Sequence, residues 1–406
     1  MSPQVGLYVH IPFCRSKCLY CGFSSVATAN PAWRDYLAAV LRELASYAEH
    51  PFSADTVTSI YVGGGTPSML PPPFYAELFA RVSARFAIAA DCETTLEANP
   101  TELPVTWLRA FRAAGFNRVS FGVQSLAAER LRRLGRNHTP DDARKSVSEA
   151  REAGFSEVSI DLMFGLPGQT VAGWRAELEE AILLPITHLS AYALTVEQGT
   201  PLARLVRSGT QVPAGEEDCA QMFLLTRQIL RERGFLAYEL ANFARPTPCR
   251  HNQRYWRRES YLGLGAAAHS FCADGFGPPG AEGSVGAGGC RWWNAASAIE
   301  YQQEVSHERR PAHRLEWLSA EEAVEELLLT ALRTDAGVTL QEIKRTASGS
   351  VSPAFRAACD ALRRGGLLAV DTDRLRLSDQ GALLADTVIL ELAGAVSGRQ
   401  GAVTGR

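Results

Sequence analysis

Residues 5–21, VGLYVHIPFCRSKCLYC, carry an apolar, β-branched segment straight into three cysteines, Cys14, Cys18 and Cys21. The first half has the composition of a strand, and the cysteines fall in the loop that leaves its C-terminal end. Working outward, the same strand-then-loop unit returns five times. Residues 57–62 (VTSIYV) read as a strand running into Gly63-Gly64-Gly65-Thr66-Pro67, followed by strands at 93–98 (ETTLEA), 118–125 (RVSFGVQS), 157–165 (EVSIDLMFG) and 188–196 (HLSAYALTV). Helical periodicity separates them at 31–49, 73–86, 105–114, 140–153 and 171–183, and returns at 216–233. Six alternating strand–helix units argue for an α/β fold whose parallel sheet is closed or partly closed into a (β/α)6 barrel. An open doubly wound sheet is the competing architecture, disfavoured because no dinucleotide glycine fingerprint follows the first strand.

The chain has 406 residues, more than one core usually supports, so additions to the barrel are expected. The reading divides it into a barrel over 1–235, an irregular extension over 236–312, a winged-helix-like domain over 313–395 and a disordered tail over 396–406. The extension holds HNQRYW at 251–256 and a Gly-rich stretch at 273–289 expected to be a flexible loop. The C-terminal domain reads as three helices, a two-stranded ribbon and a last helix, serving as a cap on the barrel. Lys+Arg 41 against Asp+Glu 44 leaves a net charge of -3, which argues against nucleic acid as a partner. No apolar run reaches the roughly 18 residues of a membrane span, and the N-terminus lacks the basic start of a signal peptide. A cytoplasmic location is expected. Nine cysteines, three of them clustered, do not make a disulfide scaffold.

Three thiolates in one loop, without an adjacent fourth Cys or His, suit an iron–sulfur cluster that leaves one iron open. A zinc knuckle with a distant fourth ligand is the competing reading of the spacing alone. His10 precedes Pro12 on the strand and reads as structural. In barrels the functional groups gather at the C-terminal strand ends. Gly64, Gly65 and Thr66 end the second strand, Glu97 the third, Gln124 the fourth and Asp161 the fifth, so these and the cysteines are expected around one mouth. His251, taken as residues alone, is open to two readings, a ligand or a buried histidine in a polar turn.

Tyr8-Val-His-Ile-Pro-Phe-Cys14-x3-Cys18-x2-Cys21, with GGGTP at 63–67, resembles the radical S-adenosylmethionine (SAM) superfamily. Within it, the chain is similar to the branch of oxygen-independent coproporphyrinogen III oxidases and HemW-type heme chaperones. LEANP, RVSFGVQS, LGRNHT, SIDLMFGLPGQT, LTVEQGTPL and HNQRYW extend the likeness in order from about residue 5 to about residue 300. The resemblance implies a partial radical-SAM barrel with a [4Fe-4S] cluster on Cys14, Cys18 and Cys21. It further implies SAM held by Tyr8, Tyr20, Gly64, Gly65, Thr66, Glu97, Gln124, Arg136 and Asp161.

The heme-chaperone side is favoured because the oxidases carry a fourth cysteine two positions after the third, where this chain has Phe23. The short segment ahead of Cys14 and the HNxxYW match point the same way. On that side His251 is the implied heme ligand, with Cys249 or His269 as substitutes. Tyr255 and Trp256 would line the porphyrin face, and Arg254, Arg257 or Arg258 would meet its propionates. The implied partners are heme, a heme-accepting apo-protein, a flavodoxin- or ferredoxin-like electron donor, a second copy of the chain and peripherally a membrane. Whether the chain is an enzyme is left open, the alternative activity being oxidative decarboxylation of coproporphyrinogen III.

Overall fold

The computed structural model describes residues 3–100, 103–279, 281, 288–307, 312–347 and 352–397. Six parallel strands form its centre: β1 (Gln4–Ile11), β2 (Thr56–Gly64), β3 (Ala87–Ala98), β4 (Arg118–Gln124), β5 (Glu157–Phe164) and β6 (His188–Ala193). Each pairs with its chain neighbour in that order. Between them run α1 (Trp33–Ser46), α2 (Pro72–Arg85), α3 (Val105–Ala114), α4 (Pro140–Glu152) and α5 (Val171–Ala181), with α6 (Glu216–Glu232) after β6. The reason for the parallel arrangement is visible in β1. Val5, Leu7, Val9 and Ile11 are all at 0–1% exposure in the main core, while Tyr8 and His10 alternate onto the inner face. A strand buried on both faces needs helices outside and packed side chains inside, which the βα crossover supplies.

The region 236–312 differs from the irregular extension expected. It contributes β7 (Leu236–Ala237), β8 (Asn242–Ala244), β9 (Tyr261–Leu264), β10 (His269–Cys272) and β11 (Cys290–Asn294), and β12 (Ala312–Trp317), which pairs with β11, lies almost wholly in the stretch expected to open the C-terminal domain. These join the central strands in one sheet of order β12-β11-β10-β9-β1-β2-β3-β4-β5-β6-β8-β7. It has two ends, so the barrel is partial, and both edges of the parallel set are covered. These added strands are two to six residues long, too short to display a period of two. HNQRYW is also regular: it lies in helix α7 (Arg250–Trp256). α8 (Ala298–Ser306) then packs against α1.

Residues 280 and 282–287 of the expected Gly-rich loop lie outside the described residues. Its C-terminal end is packed, since a Cβ on Gly288 would stand 2.3 Å from the Ser319 carbonyl oxygen. The C-terminal unit comprises α9 (Ala320–Ala331), α10 (Leu340–Thr346), α11 (Pro353–Arg364) and α12 (Ala385–Ser397). Its ribbon, Leu368–Asp371 with Arg374–Leu377, has a third strand, Val338–Thr339, that sequence reading missed. Val324, Leu328, Phe355, Leu362, Leu375 and Val388 form a separate core. Arg227 of α6, 7% exposed, ties this unit to the barrel through Asp379 (2.8 Å) and Asp335 (3.3 Å). The last helix takes in Val396 and Ser397, expected to be tail, and 398–406 lie outside the described residues. Among the described residues no helix is long and apolar enough to cross a membrane.

Candidate functional site

The cysteine loop is pinned by backbone hydrogen bonds at both of its feet and in its middle. Phe13–Cys14 pairs in parallel with Val26–Ala27, and Thr28 N–H donates to the Cys14 carbonyl (2.8 Å). Leu19 donates to the Leu134 carbonyl (3.1 Å) and accepts from Leu202 N–H (2.8 Å). The glycine segment after β2 is tied to the same loop, because Gly65 N–H donates to Ile11 O and Thr66 N–H to Phe13 O, both at 2.7 Å. Thr66 Oγ1 then lies 3.5 Å from Cys14 Sγ. Arg136 reaches the other side, with Nη1 3.3 Å from Cys18 Sγ and Nη2 2.7 Å from Asn99 Oδ1.

The glycines are required by space. A Cβ on Gly65 would lie 2.6 Å from the Phe13 carbonyl oxygen and 3.0 Å from Cys14 Sγ, and Gly64 holds φ +114° with the His10 ring 2.6 Å from such a Cβ. Gly65→Ala is therefore expected to displace Cys14 and narrow the cradle beside it. Reconstituted protein should hold less iron and sulfide than wild type and bind SAM at least about tenfold more weakly, a change of about 1.4 kcal/mol by calorimetry. Unchanged iron content and affinity would refute this packing argument.

A cavity of about 350 Å³ opens beneath the loop. Its walls include Cys14, Cys18, Cys21, Tyr20, Gly64, Gly65, Thr66, Glu97, Gln124, Arg136 and Asp161, so the strand-end residues converge as expected. Gln124, a non-glycine residue, is held at φ +67°, a strained conformation of the kind found where function constrains the backbone. Two expected members lie elsewhere. Tyr8 lines an adjoining groove, with its hydroxyl 3.0 Å from His10 Nδ1. His251 lines neither of these two: it is fully buried, with Nδ1 2.9 Å from Ser59 Oγ and Nε2 2.8 Å from Tyr255 Oη. Its neighbours are equally committed. Cys249 Sγ donates to Glu93 (3.2 Å), and buried Arg254 binds Ser260 O (3.0 Å) and Thr58 Oγ1 (2.6 Å). Arg258 pairs with Glu326 (3.1 Å), and exposed Arg257 lies 3.9 Å from Glu259.

Sequence reading missed Tyr61, Thr95, Asn99, Arg118, Ser120, Ser159 and His188 on the same walls. The signal was present, since Thr95 and Ser159 stand two residues before Glu97 and Asp161 on the same strand faces. Tyr61 Oη donates to Glu97 Oε1 (2.8 Å), and Gly64 N–H donates to Oε2 (3.0 Å). Burial pushes the Glu97 carboxyl up to about 7, with the Asp161 charge adding and these two bonds opposing. Burial likewise raises Asp161 to about 6, against hydrogen bonds from Ser190 and Ser120 and the charge of Arg118. Burial is also the main cause that raises the Cys21 thiol, and the nearby Cys18 and Cys14 thiols add to it.

Several buried donors in this cavity lack a hydrogen-bond partner among the described residues, Arg136 Nε, Thr95 Oγ1 and Ser25 Oγ, while Arg118 Nη1 faces Glu157 Oε2 at 3.9 Å. Donors left unpaired beside two carboxylates whose charge is disfavoured suit a ligand bearing cationic, carboxylate and hydroxyl groups together. SAM has that chemistry, so the residues present fit it. Among the described residues no three His, Cys, Asp or Glu side chains converge on a single-ion site. That is unlike a closed zinc site and suits a cluster in which three irons would each take one thiolate and the fourth would stay open.

Comparison with known proteins gives the same picture. The radical SAM superfamily model matches residues 8–181, and that of the HemN C-terminal domain matches residues 318–384. The heme chaperone HemW of Mycobacterium tuberculosis is 35% identical over 392 residues, covering 96% of this chain and 95% of the relative. The mitochondrial radical S-adenosyl methionine domain-containing protein 1 of Mus musculus is 37% identical, covering 96% of this chain and 88% of its own. Among solved structures, coproporphyrinogen III oxidase (HemN) from Escherichia coli superposes with a TM-score of 0.80 at 23% identity, covering 97% of this chain and 90% of its own. Its fold is shared. Membership of the superfamily implies a [4Fe-4S] cluster and SAM. With its cysteine loop, its glycine cradle and its likeness to HemW along nearly the whole length, the chain belongs to the radical SAM superfamily and, within it, to the HemW family.

Proposed function

We propose that this protein binds heme and delivers it to an apo-protein acceptor in the cytoplasm, with a [4Fe-4S] cluster on Cys14, Cys18 and Cys21 and SAM alongside. The observation that carries the reading is a second, open groove of about 380 Å³ lined by Tyr8, His10, Phe23, Tyr255, Tyr261 and His269. It shares Gly64, Glu97 and Phe23 with the cysteine cavity. An aromatic, imidazole-bearing groove suits a flat apolar macrocycle, and the relatives named heme chaperones support the same sense. Phe23 stands at the seam, 67% exposed, where an oxidase would place a fourth cysteine.

Cys14, Cys18 and Cys21 would hold the cluster and the cavity walls SAM, a pair that would supply one-electron reductive chemistry when an external donor provides the electron. The chain's own residues orient and shield. Arg136 spans Cys18 and Asn99, Thr66 sits against Cys14, Glu97 is fixed by Tyr61 and Gly64, and Thr95 keeps its hydroxyl without a hydrogen-bond partner among the described residues. Cluster-loaded protein, kept anaerobic, is expected to bind about one heme per chain in an absorbance titration. With SAM, reductant and coproporphyrinogen III it should form no protoporphyrinogen. Product over many turnovers would replace this reading with that of an oxidase.

A further inference from the structure

We infer that His269, on the wall of the second groove, supplies the imidazole that ligates the iron of a bound metalloporphyrin, and that His251 is a positioning residue. The inference rests on the proposed heme-binding function and names the group that performs it. Three imidazoles lie at or near this groove. His10 is 7% exposed, with Nδ1 against Tyr8 Oη (3.0 Å) and Nε2 against the Ser24 carbonyl (3.1 Å). His251 is fully buried and likewise engaged at both nitrogens. An iron ligand needs one ring nitrogen with a free lone pair and an open approach, and neither of these offers it.

His269 offers both. It is exposed, it lines the groove, and its side chain makes no hydrogen bond with any described residue. Its orientation is nonetheless fixed, because the imidazole lies flat on the Trp293 indole with centroids 5.4 Å apart and planes 15° off parallel. Strand register explains the contact, His269 of β10 standing opposite Trp293 of β11. The backbone beneath is closely packed: a Cβ on Gly263 would lie 2.1 Å from the His269 carbonyl oxygen. A ligand held in one rotamer loses little entropy on binding.

The HNQRYW segment keeps a role. His251 Nε2 holds the Tyr255 hydroxyl (2.8 Å), and the Tyr255 ring stands edge-on to Tyr261 at 4.6 Å, so together they build a wall for the macrocycle.

The test is a hemin titration of cluster-loaded wild type, His269→Gly and His251→Gln, read by the Soret band, by electron paramagnetic resonance of the ferric iron and by iron–sulfur content. His269→Gly should bind heme at least about tenfold more weakly and lose the imidazole-ligated signature, and added free imidazole should restore that signature. Iron–sulfur content should stay at the wild-type value in both variants, and His251→Gln should keep the wild-type spectrum. A His269→Gly variant with unchanged affinity and spectrum overturns the assignment while leaving heme binding in place. A wild type that binds no heme overturns the proposed function, and the assignment with it.

Discussion

Cys18→Ser is expected to abolish the broad, air-sensitive absorption at roughly 400 nm that an iron–sulfur cluster gives the reconstituted protein, while the fold persists. The loop offers three thiols, and a cluster held by two has lost the closure that three provide. The change also removes the sulfur against which Arg136 Nη1 rests (3.3 Å). Folding should survive because Cys18 is only half buried, and the loop is held by the Leu19 backbone and by the pairing of Phe13–Cys14 with Val26–Ala27. Cys219→Ser, at a half-buried cysteine whose thiol donates to the Ala214 carbonyl (3.8 Å), is the matched control and should leave the absorption unchanged. Iron and sulfide analysis with far-ultraviolet circular dichroism decides the matter. Four irons per chain in Cys18→Ser would remove the cysteine loop as the cluster site.

The parts of this fold that sequence reading recovers are those with a local physical signature. The six central strands are each six to twelve residues long, and helices such as α4 begin at a capping box, here Thr139 with Asp142. The strand ends then fall in register, which is why Gly64, Glu97 and Asp161 could be expected around one mouth. What escaped was decided by residues remote in the chain. β9 is four residues long and finds its place by pairing Tyr261 with Gly6 across the sheet. A period of two cannot be read from so short a run. The same holds for His251, whose sequence shows an imidazole beside aromatics but not that Ser59 and Tyr255 occupy both nitrogens. Tyr8 likewise belongs to the inner face, but its neighbours Phe23, Tyr255 and Tyr261 make it part of the second groove. Arg118 and Thr95 were legible in principle from alternation on β4 and β3. Alternation alone does not tell an inward side chain that lines a cavity from one that fills the core.

Glu43→Ala should destabilise the protein by about 3–5 kcal/mol, read as a fall in the denaturation midpoint. Glu43 projects from α1 into the core at 1% exposure and accepts three hydrogen bonds from three different elements. Gly265 N–H of the turn after β9 donates at 2.8 Å, Asn294 Nδ2 of β11 at 2.7 Å and Tyr301 Oη of α8 at 2.6 Å. Removing the carboxylate leaves these buried donors without it, each at a cost of about 1–3 kcal/mol that does not add fully. Glu43→Gln keeps one acceptor oxygen and should cost about 1–2 kcal/mol at low pH.

The pH dependence has a definite sign. Burial raises the folded-state carboxyl to about 7, above its ordinary value of 4.5, so the native chain holds a proton that the unfolded chain has released. Wild-type stability relative to Glu43→Gln should therefore be greatest below about pH 4.5, decline as pH rises to about 7, and level off beyond. A Glu43→Ala midpoint within about 1 kcal/mol of wild type would show that the three donors find other acceptors, and a flat difference across that window would show that the carboxyl is not shifted by folding. The consequence reaches the groove. Gly265 is held at φ +96° in the turn that leads into β10, where a Cβ would lie 2.5 Å from the Tyr36 hydroxyl. That same hydroxyl donates to the His10 carbonyl (2.7 Å) and accepts from Ala266 N–H (3.0 Å). Loosening the Glu43 node frees the strand on which His269 sits, so Glu43→Ala protein that still folds should bind heme more weakly than wild type with its cluster content unchanged.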